Sequence, residues 1–289
     1  MYLTKNNQML VSLIDDTYIS SNDAITITDA SSKTGKKFIV TNHHAGNYIP
    51  KYLLPNIIVN KNELVNDSDK DTDKLYLAAD IGGTSIVSKI NRNIVDLNRA
   101  RDHKGESGVM RTKTFNGNFI YSLHYAMPLN EKEKLLQNYW DPFHTAIVSE
   151  ISNLIRLHEK AIIFMGDSMN NLSPKFSYGE YETGKEKRPD IAVITRGDLS
   201  ADINLINTFF DALRSYANEA GLNNIKKNNP WTGGSNDFIL QNYGKPDKNR
   251  HVIQIETNKR LISSDADIET LNAMIKRAMN DTVRLHLDK

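Results

Sequence analysis

Short apolar runs rich in β-branched residues alternate with long amphipathic stretches along this chain of 289 residues. The runs predict strands, and they read AITITDA, KFIVTN, SIVSKIN, AIIFMGD, DIAVIT and HVIQIET. Helical periodicity marks residues 130–160, 200–221 and 264–287. Strands that alternate with crossover helices form a mainly parallel sheet. We therefore predict an α/β fold, a single domain whose mixed, mostly parallel sheet carries helices on both faces.

Composition narrows the classes of function. The formal net charge of +1 favours neither nucleic acid nor a membrane surface as a partner. The absence of cysteine excludes disulfides, thiolate zinc sites and a cysteine nucleophile. No apolar run approaches the roughly 20 residues of a membrane span, and the first residues do not resemble a cleavable signal peptide. These features predict a cytoplasmic protein that binds neither nucleic acid nor membrane.

Three polar segments are predicted to be loops. Residues 60–74 have the composition of a surface loop. Residues 176–190 and 226–250 are predicted to form long loops, which compact domains usually keep for function.

Polar clusters follow several of the predicted strands. They lie at residues 42–46 (NHHAG), 91–102 (NRNIVDLNRARD), 165–169 (MGDSM) and 254–257 (QIET). In an open α/β sheet, ligands bind beyond the carboxyl ends of the strands, so these clusters are candidate site residues. Each cluster also has an ordinary explanation, because loop histidines form hydrogen bonds and a strand-end aspartate often caps a helix.

Charged side chains inside or beside apolar strands are harder to explain by structure alone. Glu256 lies within an apolar strand, and a carboxylate is rarely buried unless it is paired or functional. Arg92 and Arg99 flank another apolar segment. A guanidinium group can form structural salt bridges or can hold a substrate carboxylate through two parallel hydrogen bonds.

The order of these clusters resembles the N-formylglutamate amidohydrolase (deformylase) family, which is related to the zinc exopeptidase-like hydrolases and carboxypeptidases. The matching segments are HHAGNYIP, DSDKDTDKLY, GGTSIVSKINRNIVDLNRARD, YWDPFHTAI, RPDIAVITRG, NPWTGG, QNYGKP and HVIQIETN. They span residues 37–262. The resemblance implies a phosphorylase/hydrolase-like fold with a catalytic domain over residues 36–289. Residues 1–35 are expected to form an N-terminal extension or hairpin packed on that domain.

The resemblance also implies a metal centre and a general base. The histidine of the family's HAG motif falls on His44, and its acidic pair falls on Asp67 and Asp69, of which Asp69 is the expected ligand. The third expected ligand is Asp167. The glutamate of the family's QLE motif falls on Glu256, the expected general base.

The expected substrate-binding residues come from three of the matching segments. The DLNR segment places Asn98 and Arg99 where carboxypeptidase-like enzymes hold a substrate carboxylate, and Arg92 is expected to help. His144 is expected near the substrate, with packing of its helix as the alternative. The two glycines of NPWTGG, at positions 233 and 234, are expected to permit a tight loop there.

One departure from the family bears on the metal. The family's strand usually ends DAHS, whereas this chain reads MGDS, so Asp167 replaces a metal-binding histidine. The resemblance implies zinc, but one histidine with two aspartates also suits manganese, iron or magnesium. His43 is an alternative source of the missing nitrogen, although adjacent side chains on an extended strand point in opposite directions.

The expected function is therefore a metal-dependent amidohydrolase that cleaves the N-formyl amide of a small acidic amino acid such as N-formylglutamate, as in histidine catabolism. One alternative is a weak or inactive homologue that binds a small carboxylate or a protein. A second alternative is an exopeptidase or amidase acting on peptide fragments, which requires an open cleft.

Overall fold

The computed structural model describes residues 24–177, 180–181, 185–234 and 236–287. The strands are β1 (Ile25–Thr28), β2 (Phe38–Asn42), β3 (Gly83–Ser88), β4 (Ala161–Met169), β5 (Phe176–Ser177), β6 (Glu180–Tyr181), β7 (Ile191–Ile194), β8 (Ile225–Lys227) and β9 (Arg250–Asn258). The helices are α1 (Lys61–Asp67), α2 (Thr72–Leu75), α3 (Leu129–Leu135), α4 (Asp141–His158), α5 (Ile203–Glu219), α6 (Phe238–Tyr243) and α7 (Asp265–Leu287). A π-helical turn, Leu136–Trp140, joins α3 to α4.

Seven strands form one mixed sheet in the order β1-β3-β2-β4-β9-β7-β8. The four central strands, β3, β2, β4 and β9, are parallel to one another. At one edge β1 runs antiparallel to β3, and at the other β7 and β8 run antiparallel to β9. The predicted α/β fold with a mainly parallel mixed sheet is confirmed.

Side chains alternate between two apolar cores on opposite faces of the sheet, as the two-residue repeat of a strand requires. On one face, Ile39 and Ile163 pack with residues of α4. On the other face, Val40 and Phe164 pack with residues of α5 and α7. The three predicted long helices therefore cover both faces, also as predicted. None of the helices in the described ranges is both long and apolar enough to cross a membrane.

Three segments differ from the sequence prediction. Residues 176–190, predicted as a long loop, contain the short strands β5 and β6. Residues 60–74, predicted as a surface loop, contain helices α1 and α2, and the Asn60 side chain caps α1 by accepting a hydrogen bond from the Glu63 amide. Residues 226–250 contain most of β8 and all of α6. These elements are short and held by tertiary contacts, so they leave little periodicity in the sequence.

Part of the predicted N-terminal extension belongs to the main sheet. Residues 25–28 form β1, which pairs with β3. Residues 1–23 of that prediction lie outside the described residues.

Candidate active site

The carboxyl ends of the four parallel strands meet at one edge of the sheet. His43 and His44 lie in the turn after β2, and residues 91–99 follow β3. Asp167 and Glu256 lie near the ends of β4 and β9. The fold thus brings together four clusters that are far apart in sequence.

A cavity of about 480 Å³ opens at this edge. Seven of the predicted site residues line it, namely His44, Asp69, Arg92, Asn98, Arg99, Asp167 and Glu256. His144, Gly233 and Gly234 are not among its lining residues. Most of the predicted site therefore converges on one cavity.

His44 lies among carboxylates. Its Nε2 is 2.8 Å from Asp96 Oδ1, and its Nδ1 is 3.4 Å from Asp69 Oδ2 and 3.6 Å from Asp167 Oδ1. Burial and the Arg92 charge lower the pKa of His44, but Asp96, Asp167 and Asp69 outweigh them and raise it to about 9. Both ring nitrogens of His44 thus face carboxylates, which favour the protonated, positively charged form of the ring.

Asp167 and Glu256 lie side by side on neighbouring parallel strands, because the register pairs these two residues. The side-chain amide of Gln254 donates to Asp167 Oδ2 at 2.8 Å and to Glu256 Oε1 at 2.9 Å. Burial, followed by the charges of Asp167 and Asp69, raises the pKa of Glu256 well above its usual value. A carboxylate in this state readily accepts a proton, as a general base must.

Tyr76 forms hydrogen bonds with the ends of β4 and β9 from the other face of the sheet. Its hydroxyl donates to the Asp167 carbonyl at 2.9 Å and lies 2.7 Å from Thr257 Oγ1. A Cβ on Gly166 would lie 2.3 Å from the Tyr76 ring, so the ring requires glycine next to Asp167. The glycine of MGDS therefore has a structural cause.

Asp69 is held by polar neighbours on the other side of His44. Ser168 Oγ donates to Asp69 Oδ1 at 3.0 Å, and Lys259 Nζ lies 3.5 Å from the same oxygen. Burial raises the pKa of Asp69, but Lys259 and His44 more than offset this and bring it down to about 2. Asp69 is therefore ionised over the whole physiological range.

Asp96 forms the centre of a charged network that sequence reasoning did not assign. Besides His44, it faces Arg92 Nη2 at 3.3 Å, Arg111 Nη1 at 3.7 Å and Arg99 Nη2 at 3.9 Å. Burial raises the pKa of Asp96, but Arg99, His44 and Arg92 hold it well below the usual range. The available signal was its position within DLNR, two residues before Asn98.

Arg99 is fixed in place by backbone carbonyls. Its Nε donates to the Ser107 carbonyl at 3.1 Å, and its Nη1 donates to the carbonyls of Asn98 and Asn236 at 3.1 and 2.9 Å. Asn98 in turn accepts a hydrogen bond from the Ile239 amide through its Oδ1 at 3.0 Å. This pair is thus rigid before any ligand enters.

His144 packs within the helical layer. Its Nδ1 lies 2.8 Å from the Tyr243 hydroxyl and its Nε2 lies 2.9 Å from the Leu97 carbonyl. The ring also stacks at 3.9 Å from Trp140. Burial lowers the pKa of His144 to about 3. These contacts favour the packing alternative over substrate binding.

Of the two glycines, only Gly233 is required by the backbone. It has a φ of +82°, and a Cβ there would lie 2.5 Å from Leu240 Cδ1. Gly234 has open space around its Cα and carries no such requirement. The NPWTGG loop still reaches the cavity, through Asn229, Pro230 and Trp231.

Three buried groups can hold a divalent ion. One ligand atom each from His43, His44 and Asp167 lie within 4.8 Å of one another. Within the described ranges, both ring nitrogens of His43 and Oδ1 of Asp167 are buried without a hydrogen-bond partner. Imidazole nitrogen and carboxylate oxygen are ordinary zinc ligands, so these residues fit such an ion.

Sequence reasoning also missed cationic and amide groups around the cavity. Lys259 and Arg188 both line it, and the Arg188 guanidinium lies 4.8 Å from the centre of the Trp231 ring. Gln254 bridges the two carboxylates described above. The sequence contained a signal for Gln254 alone among these three residues: the two-residue repeat of a strand puts it on the same face as Glu256.

Comparison with known proteins identifies the family. The family model for N-formylglutamate amidohydrolase matches residues 36–263. An N-formylglutamate deformylase from Pseudomonas aeruginosa is 25% identical over 208 residues, which cover 69% of this chain and 72% of the relative. One from Pseudomonas putida is 26% identical over 196 residues, or 66% of this chain and 68% of the relative.

The fold is also found among solved structures. An N-formylglutamate amidohydrolase from Ralstonia eutropha superposes with a TM-score of 0.74, over 91% of this chain and 97% of that one, at 17% sequence identity. A protein from Agrobacterium tumefaciens superposes with a TM-score of 0.57 at 15% identity, over 89% of this chain and 94% of that one. The resemblance seen in the motifs is confirmed, and the chain belongs to the N-formylglutamate amidohydrolase family.

Proposed function

We propose that this protein is a metal-dependent amidohydrolase that cleaves the N-acyl amide of a small acidic amino acid such as N-formylglutamate. The observation that carries the proposal is the pair Asp167 and Glu256, which lie in register beside His44 in a cavity lined by arginines. This pairing puts a metal ligand and a proton acceptor next to each other.

The buried histidine and aspartate cluster would hold a divalent ion. His44 and Asp167 are the central ligands, and Asp69 Oδ2 lies 3.4 Å from His44 Nδ1. When bound, such an ion polarises a carbonyl group and lowers the pKa of water. Asp96 accepts a hydrogen bond from Nε2 of His44, which would leave Nδ1 to bind such an ion.

Glu256 carries the proton transfers. It removes a proton from the water whose oxygen adds to the acyl carbon. It then gives that proton to the amide nitrogen as the carbon–nitrogen bond breaks. The products from N-formylglutamate are formate and glutamate. Gln254 holds the carboxylate of Glu256 toward Asp167 throughout.

Cationic groups from separate segments would bind the carboxylates of the substrate. Arg99 and Asn98 take the predicted role at one carboxylate, with Arg92 beside them. Arg188 lines the same cavity next to Trp231 and suits the second carboxylate of a glutamyl substrate.

The test is hydrolysis of N-formyl-L-glutamate by protein freed of metal and then reloaded with zinc or manganese, with formate and glutamate measured separately. We expect both products in equal amounts, and much less turnover of N-formylnorleucine, which lacks the second carboxylate. The inactive-homologue alternative predicts the opposite result, calorimetric binding of metal and N-formylglutamate without release of formate.

A second candidate, an amidase or exopeptidase on longer acyl chains, has one specific observation in its favour. The cavity adjoins another of about 900 Å³, and residues including Asp67, Phe115, Asn170 and Lys259 line both. An N-formyl amino acid fills only part of this space. Higher kcat/KM for N-acyl groups of several residues than for N-formyl would favour this candidate.

A further inference from the structure

His43 shares with His44 a turn that directs both rings to the same side. The β2 strand ends at Asn42, and the two histidines follow in the turn. Their ring centres are 4.0 Å apart, with a tilt of 58° between the planes. The alternation of side chains on an extended strand, which would have separated the rings, therefore does not apply here.

The imidazole of His43 is fully buried, and neither nitrogen has a hydrogen-bond partner among the described residues. Its Nε2 lies 3.4 Å from Asp167 Oδ1, which also has no hydrogen-bond partner there. Buried polar atoms are nearly always paired with protein, water or an ion. His144 is an internal contrast, because both of its nitrogens are paired within the protein.

The spacing of the ligand atoms suits one tetrahedral ion. Bonds of about 2.0–2.1 Å in a tetrahedron hold ligand atoms about 3.3–3.4 Å apart. His43 Nε2 and His44 Nδ1 lie 3.4 and 3.6 Å from Asp167 Oδ1. These three residues form the cluster whose ligand atoms lie within 4.8 Å of one another, and Asp69 is not a member of it.

We infer that His43 is a direct ligand of the metal, together with His44 and Asp167, and that Asp69 supports this site from outside. The inference rests on the proposed function in needing a bound divalent ion. Two imidazoles and one carboxylate form a set that favours zinc over magnesium or manganese. His43 thereby supplies the nitrogen that is missing at position 167. Asp69, already held by Ser168 and Lys259, adds negative charge beside the site, whereas Asp96 orients His44 through Nε2.

The experiment compares His43→Gln with Asp69→Asn and with His251→Gln as the matched control. His251 is also buried, but it lies on β9 and accepts a hydrogen bond from the Asp202 amide. Zinc affinity is measured on metal-free protein by competition with a chromophoric chelator. We expect a loss of more than about 100-fold for His43→Gln, above the 10–100-fold typical of an outer partner, which is the range expected for Asp69→Asn. His251→Gln should match the wild type.

A second measurement is spectroscopic. Addition of zinc to wild-type protein with ¹⁵N-labelled histidine should move the Nε2 resonance of His43 and the Nδ1 resonance of His44 to metal-bound positions. Cobalt in place of zinc should give the visible spectrum of a site with two imidazole ligands. This spectrum should change in His43→Gln.

The outcomes separate the two proposals. Zinc binding by wild type with an unmoved His43 resonance, and with equal affinity in His43→Gln, overturns the inference and leaves the proposed metal centre intact. Absence of zinc binding by wild type overturns both. A loss in Asp69→Asn that exceeds the loss in His43→Gln also overturns the inference, because it makes Asp69 the third ligand.

Discussion

Two buried histidines, His44 and His144, contact adjacent residues of one segment, yet their pKa values shift in opposite directions. Nε2 of His44 lies against the Asp96 carboxylate, and Nε2 of His144 lies against the carbonyl of Leu97. Burial lowers the pKa of both rings, but carboxylates around His44 raise it to about 9, whereas His144 among aromatic rings falls to about 3. For two histidines that are both buried, the charges of the neighbouring groups therefore decide the direction in which the pKa shifts.

The largest expected effect is on turnover at the cavity that His44 lines. Glu256→Gln removes the proton acceptor but keeps the size of the side chain, so we expect kcat for N-formylglutamate to fall by about 10²–10⁴-fold. Zinc affinity should stay near the wild-type value. Steady-state kinetics and calorimetry measure the two quantities.

His144→Gln is the matched change on the packing side. A glutamine can still donate to the Leu97 carbonyl, and the proposal requires that this variant retain most of the turnover. Equal losses of kcat in His144→Gln and Glu256→Gln would contradict the distinction between a packing role for His144 and a catalytic role for Glu256.

The next effect concerns the partners of the two rings. Asp96→Asn weakens the group that orients His44, so we expect zinc affinity to fall by about 10–100-fold. Tyr243→Phe removes the corresponding partner of His144 and should leave zinc affinity unchanged. Thermal unfolding of the metal-free variants identifies any loss that comes from the fold, since Asp96 also faces three arginines.

A smaller effect is expected from Arg99, which would bind a carboxylate of the substrate. Arg99→Lys keeps the charge but loses the planar fork, so we expect kcat/KM for N-formylglutamate to fall by about tenfold, and further for Arg99→Ala. The ratio of kcat/KM for N-formylglutamate to that for N-formylnorleucine measures the effect. An unchanged ratio in both variants would contradict a role for Arg99 in binding the substrate.

The smallest effect is a pH dependence of stability that belongs to His144. Its folded pKa of about 3 is below the usual unfolded value near 6.5, so protons bind the unfolded chain first and stability falls as the solution is acidified below pH 6.5. The loss attributable to His144 should be about 1 kcal/mol between pH 6.5 and 5.5.

Urea unfolding of wild type and His144→Gln at both pH values measures this difference. The glutamine variant should lose less stability than wild type on acidification. The exposed His124, changed to Gln, is the control and should leave the wild-type pH dependence unaltered. Parallel curves for wild type and His144→Gln would show that His144 is not held neutral by the fold.

Much of the architecture was predictable because strands and long helices are local patterns. The six apolar runs and three periodic segments became strands and helices, since β-branched residues and the 3.6-residue repeat bias the backbone directly. The convergence of candidate residues such as His44, Asp167 and Glu256 was predictable because they lie at strand ends, which a parallel sheet brings to one edge. Helices α1 and α2 and strand β8 were not predicted, because each is too short to produce a recognisable sequence pattern.

The sequence by itself determined the fold class, the family and which strand ends carry charged groups. Only the tertiary structure decided which of these groups touch: that Gln254 joins Asp167 to Glu256, that Asp96 supports His44, and that His144 packs against aromatic rings. The turn after β2 likewise decided that His43 faces Asp167. The physical reason is that strand and helix preferences act over a few neighbouring residues, whereas hydrogen bonds and charge interactions depend on distances between segments far apart in the chain.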